Sequence, residues 1–162
     1  MRFEQIAVKD LFDDCLRSKA MEAGKRRVAM VARLEDGEAI ICGDCRLLRA
    51  AIINLIAMAI RRSRPGGKIV VEYRRDAARE SIVVADNGCS IPCEQLRNAR
   101  DIFSRASMSC ERDMGETDAE LQALHVVKDI TDIHNGRLGV RSMEGEGSTF
   151  TLHLPRRHRG AA

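Results

Sequence analysis

Aromatic residues are scarce in this chain, and tryptophan is absent. Aromatics make up 3% of the 162 residues, so aliphatic side chains, alanine and methionine must fill the core. Long apolar runs are missing too, because the longest uncharged stretch, Ala50–Ile60, is too short to span a bilayer. No apolar segment near Met1 resembles a signal peptide. We therefore expect a cytoplasmic domain without membrane contact in this chain.

A strong charge of one sign is also lacking. The formal net charge is +3 at pH 7, which is too small to indicate nucleic-acid binding by itself. Two basic clusters exist, and neither is interleaved with the aromatic side chains that a single-strand groove requires. The clusters are Arg61, Arg62, Arg64 and Arg156, Arg157, Arg159. We interpret the first as a helix end and the second as part of a basic, disordered tail over residues 156–162. Residues 1–155 then form the domain, and nucleic acid is not expected as a partner.

Cysteine is the residue type whose spacing suggests a metal. Cys42 and Cys45 form a C-x-x-C, and Cys89 and Cys93 form a C-x-x-x-C. Four thiolates are able to hold zinc, but Cys42 ends a strand pattern and Cys45 opens a helix pattern, which is atypical of a zinc knuckle. We favour ordinary core and loop cysteines in a reduced cytosol and assign no metal site.

Hydrophobic periodicity divides the chain into helices and strands. Helices are predicted from a cap at Asp10 to about Gly24, from Cys45 to about Arg62 with Asp44 as the cap, and from a cap at Asp118 or Thr117 to His134. Asp36-Gly37 is predicted as a turn. The strands are predicted at Arg2–Val8, Arg27–Leu34, Ala39–Cys42, Lys68–Arg74, Ser81–Ala85, Arg137–Ser142 and Ser148–Leu154. This order indicates an α/β fold, an α+β two-layer sandwich whose single mixed sheet carries the three main helices on one face.

The segment between the strand Ser81–Ala85 and the last predicted helix has little hydrophobic periodicity. It runs from Asp86 to about Asp118. A loop this long in a compact domain is usually functional or mobile. We predict that Ser104–Asp118 is mobile.

Three motifs and a characteristic ending stand in these elements. The middle helix reads Asn-Leu-Ile-Ala-Met-Ala-Ile-Arg from Asn54, and a strand end reads Asp-Asn-Gly-Cys-Ser-Ile from Asp86. The last helix reads Leu-Gln-Ala-Leu from Leu121 and ends in His-Asn-Gly, and the final hairpin reads Gly-Glu-Gly-Ser-Thr-Phe from Gly145. Over about residues 3–155 the chain resembles the ATPase domain shared by histidine kinases, heat-shock chaperone ATPases, type II topoisomerases and mismatch-repair ATPases. The histidine-kinase catalytic and ATP-binding domain, with its Bergerat (GHKL) fold, is the most similar form.

The resemblance implies nucleotide-binding roles for five residues. Asn54 matches the first Asn of the family pattern N-L-x-x-N-A-x-K, and Arg61 matches its basic residue near the phosphates. Asp86 matches the carboxylate that accepts a hydrogen bond from the adenine amino group, and Gly88 matches the first glycine of D-x-G-x-G. Thr149 matches the hydroxyl near the same adenine edge.

Four other motif positions depart from the family. Met58 replaces the second Asn, which coordinates magnesium, and a thioether is no substitute for a hard oxygen ligand. Ser90 replaces the second glycine of D-x-G-x-G. Leu121 and Ala123 stand where glycines supply backbone N–H groups to the phosphates at a helix N-terminus. All four lie on the magnesium and phosphate side, so ATP is expected to bind weakly and magnesium is doubtful.

The resemblance also implies a phosphate-accepting histidine on a separate helix. None of the four histidines, His125, His134, His153 and His158, has that context. We therefore expect either an excised domain of a larger sensor protein or a stand-alone relic. Because the motif departures lie on the magnesium and phosphate side, we favour a pseudokinase-like module of two-component signalling that contacts dimerisation and phosphotransfer helices or a receiver domain. Two alternatives stay open. One is an ATP-binding kinase domain that phosphorylates a histidine on a partner segment. The other is an anti-sigma-type serine kinase, which uses the same fold and needs the same magnesium ligand.

Overall fold

A computed structural model describes residues 2–88, 116–143 and 145–156. In these ranges the chain forms three helices and seven strands. The helices are α1 (Val8–Lys25), α2 (Cys45–Arg62) and α3 (Glu116–Ile133). The strands are β1 (Glu4–Ala7), β2 (Ala29–Leu34), β3 (Ile40–Gly43), β4 (Lys68–Arg75), β5 (Arg79–Asp86), β6 (Arg137–Met143) and β7 (Gly147–Pro155).

Five of the strands form a mixed sheet in the order β2-β4-β5-β7-β6. β2 runs parallel to β4, and the other neighbours are antiparallel. Every second side chain of the central strands is buried on one face, as Ile82 and Val84 of β5 and Phe150 and Leu152 of β7 show. The three helices pack against this face of the sheet. The predicted α/β fold, with a mixed sheet and three helices on one face, is confirmed.

Helix α2 begins at the residue that the sequence predicts. The Asp44 carboxylate accepts hydrogen bonds from the backbone N–H groups of Arg46 and Leu47 at 3.1 and 3.3 Å. It also accepts the backbone N–H of Arg2 at 2.8 Å, which ties the N-terminal segment to the helix. The Arg2 bond is the largest cause of a lowered pKa of Asp44.

Helix α1 begins two residues before the predicted cap, Asp10. Its N-cap is Ala7, which makes no side-chain cap bond, and Asp10 lies in the first turn. The N–H of Val8 instead donates to the carbonyl oxygen of Ala39 at 2.9 Å. A hydrogen bond to a residue distant in the sequence therefore satisfies a backbone N–H at the start of α1, where a local side-chain cap was predicted.

The prediction of a single sheet is wrong for the first and third strands. β1 and β3 form a separate two-stranded antiparallel sheet, in which Ile6 pairs with Ile41. The turn at Asp36 exists, because its carbonyl oxygen accepts the N–H of Ala39 at 3.2 Å. A turn reverses the chain but does not determine which strand the next one pairs with. β2 pairs with β4, and not with β3 across the turn.

Candidate functional site

Asp86 is the last residue of β5 and lies on the face of the sheet that the helices cover. It is 6% exposed. Its Oδ1 accepts the backbone N–H of Gly88 at 2.9 Å, whereas its Oδ2 is buried without a hydrogen-bond partner among the described residues. Burial raises the pKa of Asp86, and the Gly88 N–H, the Arg62 guanidinium and the Ser148 N–H act in the opposite direction. Asp86 therefore offers a buried acceptor oxygen that no described protein group uses.

The C-terminal end of α2 contacts the residues that follow Asp86. A Cβ on Gly88 would lie 2.6 Å from the carbonyl oxygen of Arg62, so a larger residue at position 88 could not approach α2 this closely. The Arg62 side chain is 9% exposed, and its Nη1 lies 3.2 Å from Oε2 of Glu120 on α3. The positive charge of the same guanidinium opposes the rise that burial causes in the pKa of Asp86. Arg62 thus forms an ion pair with Glu120 of α3 and acts electrostatically on Asp86 of β5.

The start of β7 packs directly against Asp86. Gly147 has a φ of +88°, and a Cβ there would overlap the carbonyl oxygen of Asp86. Ser148, 1% exposed, pairs with Asp86 across the ladder, whereas Thr149 pairs with Ala85. Because side chains alternate along a strand, Thr149 lies on the opposite face of the sheet. Ser148, and not Thr149, therefore lies on the same face as Asp86, and the role of Thr149 at the adenine edge stays a prediction.

The α2 motif residues have different surroundings. Asn54 is half-buried, and Met58, one turn later on the same side of the helix, is 1% exposed within the hydrophobic core. Arg61 is exposed, and its backbone carbonyl accepts a hydrogen bond from Nη1 of Arg26 at 3.1 Å. The charge that acts on Asp86 is that of the next residue, Arg62, and the role of Arg61 near the phosphates stays a prediction.

The two residues at the glycine positions lie inside a helix. α3 begins at Glu116, so Leu121 and Ala123 come after its first turn. Only the first backbone N–H groups of a helix lack intrahelical partners, and the groups at these two positions are therefore used within the helix. Both side chains are half-buried, and Ala123 packs against the core.

A match to a family model decides which family this arrangement represents. The model for histidine kinase-, DNA gyrase B- and HSP90-like ATPases matches residues 43–158. The chain belongs to this ATPase family. The match spans all the described site residues, from Asp44 on α2 to Thr149 on β7.

Curated relatives of the chain are sensor proteins. The sensor protein DivL of Caulobacter vibrioides is 28% identical over 155 residues, which cover 96% of this chain and 19% of DivL. The sensor-like histidine kinase SenX3 of Mycobacterium tuberculosis is 35% identical over 115 residues, covering 71% of this chain and 27% of SenX3. The chain thus spans less than a third of the length of these relatives.

Solved structures of histidine kinases share the fold. The nucleotide-free catalytic domain of the histidine kinase ThkA aligns with a TM-score of 0.77 at 19% identity, covering 96% of this chain and 97% of that domain. Full-length ShkA in complex with AMPPNP aligns with a TM-score of 0.78 at 18% identity, covering 96% of this chain and 31% of ShkA. A complex of ThkA with the response regulator TrrA also aligns, with a TM-score of 0.73.

The adenine side and the metal side of this ATPase-family site differ in their fit to a nucleotide. The unpartnered Oδ2 of Asp86 suits the amino group of an adenine, because an ionised carboxylate accepts and cannot donate. Met58 does not suit magnesium, which binds hard oxygen ligands. Among the described residues, Asp86 therefore fits a base, and Met58 does not supply a ligand for a metal-bound triphosphate.

Some sequence predictions concern residues outside the described ranges. Ser90, the cysteines Cys89 and Cys93, and most of the predicted mobile segment Ser104–Asp118 are among them. The described residues contain no group of three or more His, Cys, Asp or Glu side chains arranged for a metal ion. Within the same ranges, none of the helices combines the length and apolar character that a membrane crossing needs.

Three site residues were missed in the sequence. Ser148 could have been found by counting back two residues from the apolar Phe150, because alternate residues of β7 lie on the same face. Arg62 was noted only as part of a helix end, and Glu120 was not noted at all. The ion pair of Arg62 and Glu120 joins residues 58 positions apart, and no local sequence pattern indicates such a contact.

Proposed function

We propose that this chain is a pseudokinase-like module of two-component signalling that binds ATP weakly or not at all and acts in the cytoplasm through protein contacts. The proposal rests on the extent of α3, which includes both residues at the family's glycine positions. Because the helix already runs through Leu121 and Ala123, their N–H groups are not available to phosphates. Phosphoryl transfer depends on positioned phosphates and a bound metal.

The surroundings of Met58 support the same proposal. Its side chain is 1% exposed among apolar neighbours of α2, so it serves packing at a position where the family places a magnesium ligand. Asn54, one turn earlier, would be left as the single amide of the motif on this helix. The amide oxygen that the resemblance assigns to magnesium is missing at position 58, and a thioether does not replace a hard oxygen ligand.

The proposed partners follow from the family. A receiver domain or a pair of dimerisation and phosphotransfer helices is the partner that we propose. The complex of ThkA with the response regulator TrrA shows that the fold occurs in such an assembly. The domain itself is proposed to span residues 1–155, with β7 ending at Pro155 and a basic tail after it.

A second candidate function is a kinase domain that phosphorylates a histidine on a partner segment. The unpartnered Oδ2 of Asp86 favours it, because a buried acceptor costs about 1–3 kcal/mol unless a ligand satisfies it. The serine-kinase alternative rests on the fold alone and no described residue favours it over the histidine kinase.

A phosphotransfer assay separates the two candidates. The chain is incubated with labelled ATP, magnesium and the dimerisation helices of a histidine kinase that is known to accept phosphate in trans. We expect no acid-labile, base-stable label on those helices, while an active catalytic domain run in parallel labels them. Labelling of a histidine by this chain above the rate without protein would overturn the pseudokinase proposal.

A further inference from the structure

The five-stranded sheet has a second face, opposite the one that the three described helices cover. Side chains alternate along a strand, so the residues that alternate with the buried Phe150 of β7 lie on this open face. Thr151 and His153 are two of them, and both are half-buried. The ladder register places Gly139 beside Thr151 and Arg137 beside His153. The strands β6 and β7 therefore share one part of the open face.

Arginines surround this part of the open face. Arg137 and Arg141 stand two residues on either side of Gly139 on β6, and Arg79 begins β5 on the far side of β7. All three arginines are exposed, and none of them forms an ion pair with a carboxylate of residues 2–88, 116–143 or 145–156. Nη2 of Arg141 contacts the uncharged thioether sulfur of Met143 at 3.5 Å. The three guanidinium groups are therefore not neutralised by ion pairs within the described part of the chain.

The charges of two of these arginines act on His153. Burial is the largest cause of its lowered pKa, and the positive charges of Arg79 and Arg137 lower it further, whereas Asp76 in the β4–β5 turn raises it. Oδ1 of Asp76 accepts the backbone N–H groups of Ala78 and Arg79 at 2.8 and 2.7 Å. With Asp76 included, the three arginines still leave an excess of positive charge among the described residues of this region.

A notch lies between the two arginines of β6. Gly139 has no side chain there, and a Cβ at this position would lie 3.4 Å from Nε2 of His153 and 3.8 Å from Cβ of Thr151. Nδ1 of His153 lies 3.1 Å from Oγ of Ser81, so Nε2 is the ring nitrogen next to the notch. The notch therefore combines a ring nitrogen and two guanidinium groups around a position without a side chain.

The spacing of the arginines indicates which kind of anion fits. Arg137 and Arg141 are four residues apart on one strand, so their Cα atoms lie about 13 Å apart, and Arg79 is two strands, or about 10 Å, from β6. Cations spread over this distance suit several carboxylates better than one phosphate group. An extended peptide carries same-side carboxylates about 7 Å apart. Because β6 is the outermost strand of the described sheet, such a segment can reach both of its arginines from the edge.

The described aromatic side chains lie elsewhere in the domain. Phe12, Tyr73 and Phe150 are buried with the helices, and Phe3 packs against His134. Among the described residues, nucleic-acid bases therefore have no stacking surface on the open face. A protein segment is the occupant that these observations favour.

We propose that Arg79, Arg137, Arg141 and His153, here called the basic corner, bind an extended acidic segment of a partner protein, whose carboxylates pair with the arginines on both sides of the notch at Gly139. The inference rests on the proposed function, because it identifies a surface for the protein contacts that the proposed function requires. The basic corner lies on the other face of the sheet from the nucleotide side, so a partner bound there does not compete with a nucleotide.

Fluorescence anisotropy of a labelled peptide tests the proposal on the full chain. The probe is a synthetic peptide of alternating glutamate and threonine, whose carboxylates share one side of an extended strand. We expect binding that weakens as salt concentration rises. No binding at millimolar peptide concentration and low salt would overturn the proposal.

A double variant tests the arginines of β6. Replacing both, by Arg137→Gln and Arg141→Gln, should lower the peptide affinity about fivefold or more. The matched control combines Arg17→Gln and Arg46→Gln, which remove the same charge from exposed positions on α1 and α2. Thermal melting checks that both variants keep the fold. Equal losses of affinity in the two double variants would contradict the proposal, because binding would then depend on net charge alone.

The variant Gly139→Ala tests the notch. Its methyl group would lie at ordinary contact distance from His153, so the fold should be kept while the space is filled. We expect the peptide affinity to fall about threefold or more, and Gly37→Ala, where a Cβ meets nothing within 4 Å, is the control. In nuclear magnetic resonance spectra, the ring signals of His153 should move when peptide is added, while those of the exposed His125 should not. Unchanged affinity in Gly139→Ala, or unchanged His153 signals, would overturn the proposal.

The same assay distinguishes other occupants of the basic corner. A DNA duplex that binds more tightly than the peptide at equal salt, or inorganic phosphate that displaces the peptide at equal concentration, would overturn the proposal. Self-association of the chain in sedimentation experiments, abolished by the double variant of Arg137 and Arg141, would assign the surface to a second copy and would also overturn it.

The inference and the proposed function fail in different experiments. Labelling of a histidine by this chain in the phosphotransfer assay defeats the pseudokinase proposal, whereas the peptide affinities decide the inference by themselves. Absence of peptide binding overturns the inference and leaves the pseudokinase proposal standing.

Discussion

The backbone N–H of Asp44 donates a hydrogen bond to Nε2 of His134 at 3.0 Å, joining the start of α2 to the end of α3. Nδ1 of the same ring lies 2.7 Å from the carbonyl oxygen of Ile130. Because Nε2 accepts, Nδ1 carries the proton and donates to that carbonyl, which fixes the tautomer of the ring. The ring also packs against Phe3, with centroids 5.1 Å apart.

We expect His134→Ala to destabilise the fold by about 2–4 kcal/mol, because it leaves the Asp44 N–H unsatisfied and opens a cavity. Urea denaturation followed by circular dichroism measures the change. His125→Ala is the control, since His125 is exposed on α3, the helix that His134 directly follows. A loss for His134→Ala no larger than that of His125→Ala would show that the link is dispensable.

Two glycines in the β6–β7 hairpin form a matched pair. Gly145 and Gly147 both have positive φ, of +81° and +88°, but nothing lies within 4 Å of a Cβ on Gly145, whereas a Cβ on Gly147 overlaps the Asp86 carbonyl. Gly145→Ala should cost about 1–2 kcal/mol of unfolding free energy for backbone strain alone. Gly147→Ala should cost about 3 kcal/mol or more, because overlap adds to the strain. Equal losses in denaturation midpoints would refute the close approach.

The buried carboxyl group of Glu80 is expected to make the free energy of unfolding depend on pH. It is buried, and burial raises its pKa, while the Tyr73 hydroxyl, 3.1 Å from Oε1, and the charges of Arg75 and Arg156 act the other way. A carboxyl with a raised folded pKa favours the folded state when protonated, so its contribution weakens as pH rises through the range above 4.5.

The substitution Glu80→Gln keeps an acceptor oxygen for Tyr73 and removes the buried charge. We expect this variant to be more stable than the unmodified chain at pH 7, with the difference shrinking toward pH 4. Thermal melts across this range measure it, and Glu146→Gln at an exposed turn position is the control. Lower stability of Glu80→Gln at pH 7 would mean that the buried carboxylate is compensated by its neighbours.

Nucleotide binding should depend on Ser148 and not on Thr149. Ser148→Ala removes a hydroxyl next to Asp86 and should weaken residual adenosine or ATP binding about threefold to tenfold. Thr149→Ala changes the opposite face of the sheet and should leave affinity unchanged. Asp86→Asn should abolish binding, because its amide can present a donor where the adenine amino group needs an acceptor. Calorimetric titrations of the three variants compare them, and sensitivity to Thr149→Ala with none to Ser148→Ala would reverse the assignment.

Local chemistry made part of this fold predictable from the sequence. Asp44 was identifiable as a cap because the cap bonds join residues two and three positions apart, at Arg46 and Leu47. The β4–β5 and β6–β7 hairpins followed from strand patterns that flank short turns. In these cases the information needed lies within a few residues.

Long-range choices were not predictable in the same way. The partner of β3 is β1, and α1 is started by a bond from Val8 to Ala39, both set by tertiary packing. The motif alignment placed Thr149 at the adenine edge, and a shift of one residue moves a side chain to the other face of a strand. Glu120 became visible only through its ion pair with Arg62.

We propose that the phosphate and metal side of this ATPase-family site does not support phosphoryl transfer. Calorimetry of the chain with ATP, in the presence and absence of magnesium, tests it most directly, with Met58→Asn as a companion. We predict weak binding that magnesium does not strengthen. Met58→Asn alone should not change this, because the N–H groups at Leu121 and Ala123 remain within α3. Micromolar ATP affinity that requires magnesium would contradict the account.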